Sequence, residues 1–97
     1  MPPPPLQIGP LRLATNLVLA PIAGLSRNRR TAVLETLEAY LDSGSSVAAV
    51  ADALHLHRQS VNYRMQNVRK LFGERLMSQN GRLALHIAVK AARLQRS

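Results

Sequence analysis

Two short amphipathic segments in the middle of the chain constrain its fold more than any other feature. Residues 46–72 read SVAAVADALHLHRQSVNYRMQNVRKLF, and their apolar residues recur at the spacing of one helix face. Residues 55–57 interrupt the pattern, and Ser45 or Ser46 is placed to cap the first helix. This spacing predicts a helix-turn-helix: a short support helix, a tight corner and a longer second helix. The two apolar stripes are Val47, Val50, Ala51 and Leu54, then Val61, Met65, Val68 and Phe72.

The opposite face of the second helix holds the residues that indicate a function. With Val61 at the centre of the buried face and about 100° per residue, polar side chains face outward. No acidic residue occurs from His55 to Lys70. Amides can pair with base edges and cations with phosphates, so this face predicts binding in the DNA major groove. We assign base reading to Arg58, Gln59, Ser60, Asn62 and Tyr63, and phosphate binding to His57, Arg64, Gln66, Arg69 and Lys70.

Residues 36–94 resemble a known family in the order, spacing and type of their residues. The matching elements are TLEAYLDSGSSVAAVADALHLHRQSVNYRM, the glycine at position 73, and RLALHIAVKAARL. They resemble the C-terminal helix-turn-helix domain of PucR-type transcriptional regulators, the purine catabolism and sugar diacid regulators. The resemblance implies a Fis-like helix-turn-helix with a recognition helix at residues 58–71. It also implies double-stranded DNA binding in a bacterial transcription factor, and with it a cytoplasmic, nucleoid-associated location.

Length and helix-boundary signals predict one all-α domain of four or five helices behind an irregular arm. A chain of 97 residues has room for a single modest core. Thr31 is placed to cap the first helix of this domain, Gly44 to end it, and Gly73 to end the recognition helix. We therefore expect a Pro-rich, extended N-terminal arm at residues 1–30 and the helix-turn-helix DNA-binding domain at residues 31–97.

The last helix, predicted from Gly81 or Arg82 to Leu94, is apolar over a wide arc. Two interpretations of this arc stay open: all of it packs in the core, or half of it forms a homodimer interface. A dimer would place two recognition helices on half-sites about one turn of DNA apart. The stripe consists of Leu83, Ile87, Ala91 and Leu94, widened by Ala84, Leu85 and Ala88.

The charge balance favours a polyanionic partner. The formal net charge is +8, from 13 Lys and Arg against 5 Asp and Glu, which points first to nucleic acid. No apolar run is long enough to span a membrane, and the signal-peptide pattern is missing. Because there is no cysteine and His55 and His57 do not face one another on a helix, we predict no metal and no cofactor. The alternatives are a nonspecific or RNA-binding module and a helical protein-interaction domain.

The N-terminal residues differ in character from the rest. Met1 and the four prolines that follow predict an extended start. Residues 6–25, LQIGPLRLATNLVLAPIAGL, suggest two short strands or an apolar extended arm, with a turn at Gly9-Pro10. The next five, SRNRR, form a basic hinge that either contacts DNA or is a solvated linker.

Residues 6–26 also resemble the start of tRNA dihydrouridine synthases, which are flavin-dependent barrel enzymes. The matching phrase is IGPLRL followed by NLVLAPIAGLS. An eight-fold barrel needs on the order of 200 residues, and this chain has no cysteine to act as a general acid. We therefore predict no enzyme activity, no catalytic residue and no flavin site.

Overall fold

The computed structural model describes the backbone of residues 8–96 and the side chains of residues 12–95. Over this range every regular element is a helix and no strand occurs, which confirms the predicted all-α fold with a helix-turn-helix. The prediction for the proline run at residues 2–5 lies outside the described residues. None of the helices within residues 8–96 has the length and apolar character needed to cross a membrane. The α-helices are α1 (Ile8–Val18), α2 (Arg27–Asp42), α3 (Val47–Leu54), α4 (Arg58–Phe72) and α5 (Gln79–Arg96), with 3₁₀ helices at Ala20–Ile22 and Gly73–Leu76.

The core is built from one side of each helix of the domain. Leu37 of α2, Val50 of α3, Val61 and Met65 of α4 and Leu85 of α5 are all 0 % exposed. Burying one such side chain contributes about 1.5–3 kcal/mol, so these contacts hold the four helices together. α4 packs on α2, α3 and the second 3₁₀ helix, whereas α5 packs on α1, α2 and the same 3₁₀ helix.

The corner between α3 and α4 is tight because a residue adopts the left-handed conformation there. The Ser46 hydroxyl accepts a hydrogen bond from the Ala49 N–H at 3.1 Å and caps α3, as predicted. His55 ends α3 with φ +56°, and the Leu56 N–H donates to the Ala51 carbonyl at 3.0 Å. Three residues therefore turn the chain from α3 into α4, so the predicted helix-turn-helix is confirmed.

The prediction of strands or an extended arm over residues 6–25 is wrong for residues 8–22, which form α1 and a 3₁₀ helix. Gly9 and Pro10 lie in the first turn of α1, where a missing N–H costs no intrahelical hydrogen bond. Thr15 of α1 is buried, and so are Leu19 and Ile22, which follow at helical spacing after the end of α1. Because the first of these is polar, the apolar pattern alone did not reveal the helix.

The basic segment at residues 26–30 is not a hinge, because it forms the N-terminal turn of α2. Ser26 rather than Thr31 caps the helix, and its hydroxyl accepts a hydrogen bond from the Arg29 N–H at 3.3 Å. The serine was the stronger start signal, since serine ranks above threonine at N-caps. The following arginines therefore have positions fixed by the helix.

The last helix begins at Gln79, two or three residues before the predicted start at Gly81 or Arg82, and a serine again explains the difference. The Ser78 hydroxyl accepts a hydrogen bond from the Gly81 N–H at 2.9 Å. The Ser78 carbonyl accepts a second hydrogen bond from the Arg82 N–H at 3.0 Å. A Cβ on Gly81 would lie 2.7 Å from the Arg75 Cα, so only glycine fits this close approach. Just before this turn, Leu76 is buried, whereas its neighbour Met77 is 81 % exposed.

The core face of α5 is narrower than the predicted stripe and is rotated from it. Leu85, Ala88, Val89 and Ala91 are buried. The interpretation that the whole apolar arc packs in the core is therefore wrong, because α1, α2 and the second 3₁₀ helix cover only one side of α5. The large residues of the predicted stripe face solvent instead: Leu83 is 59 %, Ile87 54 % and Leu94 73 % exposed.

A network of ion pairs joins the C-terminal end of α2 to α5. The Lys90 ammonium lies 3.0 Å from a Glu38 carboxylate oxygen and 2.8 Å from one of Asp42. The His86 Nε2 lies 2.6 Å from the other Asp42 oxygen, and the Arg93 Nε 3.5 Å from Glu38. Two of the five acidic residues of the chain are therefore paired on the α2–α5 side of the molecule.

At neutral pH, Asp42→Asn is expected to lower the free energy of unfolding by about 0.5 kcal/mol, since exposed ion pairs contribute little. The hydrogen bonds of Asp42 with Lys90 and His86 lower the pKa of its carboxyl group. The stabilisation is complete above the ordinary pKa of 3.8 and is lost as the pH falls through the lowered pKa. Urea unfolding should therefore show a gap between variant and parent that closes in acid. A difference in the free energy of unfolding that stays the same at all pH values would contradict the role given to the Asp42 carboxylate.

Candidate nucleic-acid interface

The buried stripe of α4 fixes which side of the helix faces solvent. Val61, Met65, Val68 and Phe72 are at most 5 % exposed and repeat at intervals of four, three and four residues. They pack towards α2, α3 and the second 3₁₀ helix. The orientation predicted from the sequence, with Val61 on the buried side, is therefore confirmed.

The predicted DNA-contacting residues lie together on the solvent side of this helix and at its start. Gln59, Tyr63 and Lys70 follow one line along α4, because they are separated by about one and two further turns. Asn62, Gln66 and Arg69 follow a second line beside it. Nine of the ten predicted residues are exposed and the tenth is half-buried, so the helix offers this face to a partner; the nine are His57, Arg58, Gln59, Ser60, Asn62, Tyr63, Gln66, Arg69 and Lys70.

A groove of about 800 Å³ separates α4 from α2 and is bordered by the first of these lines. Gln59, Tyr63 and Lys70 form its α4 wall, and Arg29 and Val33 line it from α2. Tyr63 is 66 % exposed at its edge, with a large aromatic ring beside amide and cationic groups. A cation from outside the helix-turn-helix, Arg29, therefore lines the same groove as the predicted base-reading residues Gln59 and Tyr63.

Arg64, the half-buried member of the predicted set, is tied to α2. Its Nη1 donates a hydrogen bond to the Thr36 hydroxyl at 3.3 Å, and that hydroxyl donates to the Ala32 carbonyl at 2.8 Å. A guanidinium has five N–H donors in a planar fork, so further donors remain for another partner. The contact holds the guanidinium of Arg64 at the groove and braces α4 against α2.

Charge is distributed unevenly over the described part of the molecule. α4 contains Arg58, Arg64, Arg69 and Lys70 but no acidic residue. Within residues 8–96, the ion pairs of α2 with α5 involve Glu38 and Asp42, and no ion pair involves α4. Among the described side chains, residues 12–95, the cations of α4 therefore have no carboxylate partner, and the polar face carries net positive charge.

The start of α4 adds backbone donors to this positive surface. His57 is the N-cap residue, and its side chain makes no capping hydrogen bond. The first N–H groups of a helix have no intrahelical acceptor and sit at the positive end of its dipole. Together with Arg58, they form a surface suited to an anionic group such as a phosphate.

Comparison with known proteins identifies the family. The model of the PucR C-terminal helix-turn-helix domain matches residues 33–91, which is more than half of the chain. The chain belongs to this family. The PucR-type helix-turn-helix is a DNA-binding module of transcriptional regulators and not a catalytic domain. The resemblance seen in the sequence is thereby confirmed. No curated protein and no solved structure matches the chain.

The PucR-type match includes the whole helix-turn-helix but leaves one groove residue out. The match begins at Val33, whereas Arg29 lies in the first turn of α2 and lines the groove beside Gln59 and Tyr63. The sequence pointed to the basic run at residues 26–30 but not to its place in a helix. The signal that would have found it is the serine cap, which fixes the start of α2 and hence the direction of Arg29.

Proposed function

We propose that the chain is a sequence-specific reader of double-stranded DNA that inserts α4 into the major groove. The observation that supports this most is the two-sided character of α4. It has a buried apolar stripe and an exposed face of amides, one aromatic ring and cations that form no ion pair with any described side chain. An α-helix fits the width of the major groove, where each base pair presents a distinct pattern of donors and acceptors. A protein acting this way would bind the bacterial chromosome and regulate transcription.

The residues that read bases lie near the start of α4 and on the solvent side of this helix. The Gln59 and Asn62 amides are suited to paired hydrogen bonds with adenine, and the Arg58 guanidinium to guanine. Ser60 can donate or accept a hydrogen bond at either kind of base, and the Tyr63 ring offers apolar contact and a hydroxyl group. N-terminal residues of a recognition helix are the ones that reach base edges in helix-turn-helix complexes.

Phosphate binding falls to residues at the corner and along the flanks of α4. His57 lies at the corner, Arg69 and Lys70 near the far end, and Gln66 between them. Arg64 holds its guanidinium at the α2–α4 groove, where Arg29 lies as well. Cations on both sides of the reading residues would contact the two phosphate backbones that border the groove, and so fix the register of the helix.

Specific binding by this module calls for two copies. A single small DNA-binding module has an interface of limited area, and specific affinity usually rests on dimers or tandem modules. A homodimer would read two half-sites about one helical turn apart. The operator would then be an inverted repeat, because the symmetry of the protein is mirrored in the DNA.

A nonspecific or RNA-binding module is the second candidate, because a net charge of +8 attracts any nucleic acid. Competition with a labelled duplex DNA tests it. The proposed reader should be displaced by duplex DNA at lower concentration than by duplex or single-stranded RNA of equal length. Equal competition by RNA would favour the second candidate, and no salt-dependent binding at all would favour a protein-interaction domain.

Lys70→Gln tests whether α4 is the face that contacts DNA. Removing one phosphate contact should weaken binding about equally on all sequences and reduce the slope of log K against log salt by about 1. Arg12→Gln removes one positive charge from an exposed position of α1, which packs on α5, and should leave the slope unchanged. Titrations of one duplex at several salt concentrations measure both. An equal change of slope in both variants would show that only net charge matters.

A further inference from the structure

We propose that the exposed apolar stripe of α5 is the surface on which a second copy of this chain docks. The stripe is formed by Leu83, Ile87 and Leu94, which are 59 %, 54 % and 73 % exposed. At 100° per residue they lie on the side of α5 opposite Leu85, the fully buried residue of this helix. This inference supplies the dimer contact of the proposed function and rests on that function for its role on DNA.

Exposed large apolar residues are concentrated in two neighbouring helices rather than scattered. Among the described side chains seven are of this kind, and five of them belong to α1 and α5, which pack on one another. α1 contributes Leu13 and Leu17, 61 % and 64 % exposed and one turn apart. Single exposed leucines are ordinary on a protein surface, but three large apolar side chains along one side of α5 indicate an interaction site.

The spacing along α5 favours another helix with the same stripe as the occupant. Positions 80, 83, 87, 90 and 94 are separated alternately by three and four residues, which is the seam of a two-stranded helix pair. Asn80 and Lys90 are its polar positions, and such residues at a seam specify register and the number of strands. Because a symmetric dimer pairs a surface with itself, one such stripe is complementary to its own copy.

Charge favours a second copy at this face over a nucleic acid. Two chains of net charge +8 repel one another, so they associate best where the positive charge is already neutralised. Along α5, Lys90 is paired with Glu38 and Asp42, His86 with Asp42, and Arg93 with Glu38. The cations beside the stripe thus have carboxylate partners, whereas those of α4 have none among the described residues.

The position of the stripe allows pairing and DNA binding at the same time. The predicted DNA-contacting residues lie on α4 and at the corner before it, whereas α5 packs on α1, α2 and the second 3₁₀ helix. The seam is short, since residues 80–94 extend only about 21 Å at 1.5 Å per residue. We therefore expect a dimer that dissociates on dilution and is favoured when two copies occupy adjacent half-sites.

Sedimentation equilibrium of the full chain without DNA tests the proposal. The mass should rise from one chain to two between micromolar and submillimolar concentration. Ile87→Glu places a carboxylate at the middle of the stripe and should weaken the dimer at least about tenfold, because the charge would be desolvated on pairing. Met77→Glu makes the same kind of change at an 81 % exposed residue outside α5 and should dimerise as the parent does.

Two outcomes would overturn the proposal. A parent chain that stays monomeric throughout would show that the stripe does not pair with a second copy. An Ile87→Glu variant that dimerises like the parent, with unchanged circular dichroism, would place the contact elsewhere. Binding to a duplex with one half-site separates this test from the proposed function. Ile87→Glu should bind that duplex with parental affinity. If neither the parent nor any variant bound DNA, only the DNA-reading function would be contradicted.

Discussion

Val61→Asp is expected to unfold the helix-turn-helix. Val61 is 0 % exposed, begins the buried stripe of α4 and belongs to the same core as Leu37 and Val50. A carboxylate there would have no partner, and the cost of burying it is about 4 kcal/mol or more. Small domains have a free energy of unfolding of only about 5–15 kcal/mol. Circular dichroism and thermal unfolding should show a largely unfolded chain at ambient temperature.

Ser60→Asp is the matched control for this variant, because it places the same carboxylate one residue earlier, at an exposed position. A negative charge in the first turn of a helix is favourable, so this variant should stay folded. It should nevertheless bind DNA more weakly, since it puts a negative charge on the face proposed to contact phosphates. A folded Val61→Asp variant that binds DNA would contradict the orientation of α4.

Gln59→Ala is expected to weaken binding to the best DNA site by about 1–3 kcal/mol. Gln59 is exposed in the first turn of α4 and lines the groove with Tyr63. Its amide can pair with an adenine through two hydrogen bonds, and alanine can make neither. Affinities for the best site and for sites changed at one base pair should show relaxed discrimination at one position.

Gln95→Ala controls for the loss of an exposed amide, because Gln95 lies near the end of α5. This variant should keep parental affinity and discrimination. If Gln59→Ala weakened binding equally on every sequence, Gln59 would position the helix on the backbone rather than read a base. The assignment of base reading to this residue would then be wrong, although binding of DNA by α4 would stand.

The sequence was sufficient for the helix-turn-helix because local signals and burial agree there. The stripe from Val61 to Phe72 is continuous, and the serine cap and the short corner are encoded by adjacent residues. Helix periodicity, capping and packing then specify the same structure. The orientation of α4, and with it the exposed polar face, follows directly.

The sequence was insufficient where burial depends on distant neighbours. α5 has apolar residues on two sides, one with Leu85 and one with Ile87. Which side is buried depends on where α1 and α2 pack. In α1 a buried threonine takes the place of an apolar residue, so the period was hidden. The groove position of Arg29 depends in turn on the packing of α2 against α4.

The central claim, sequence-specific reading of double-stranded DNA, is tested most directly by selection from a pool of random duplexes. The full chain is bound to the pool, bound duplexes are sequenced, and the affinity of the enriched sequence is measured at two salt concentrations. We predict one enriched motif, arranged as two inverted half-sites, with affinity that falls steeply as salt rises. Binding that is salt-sensitive but enriches no sequence would contradict the claim.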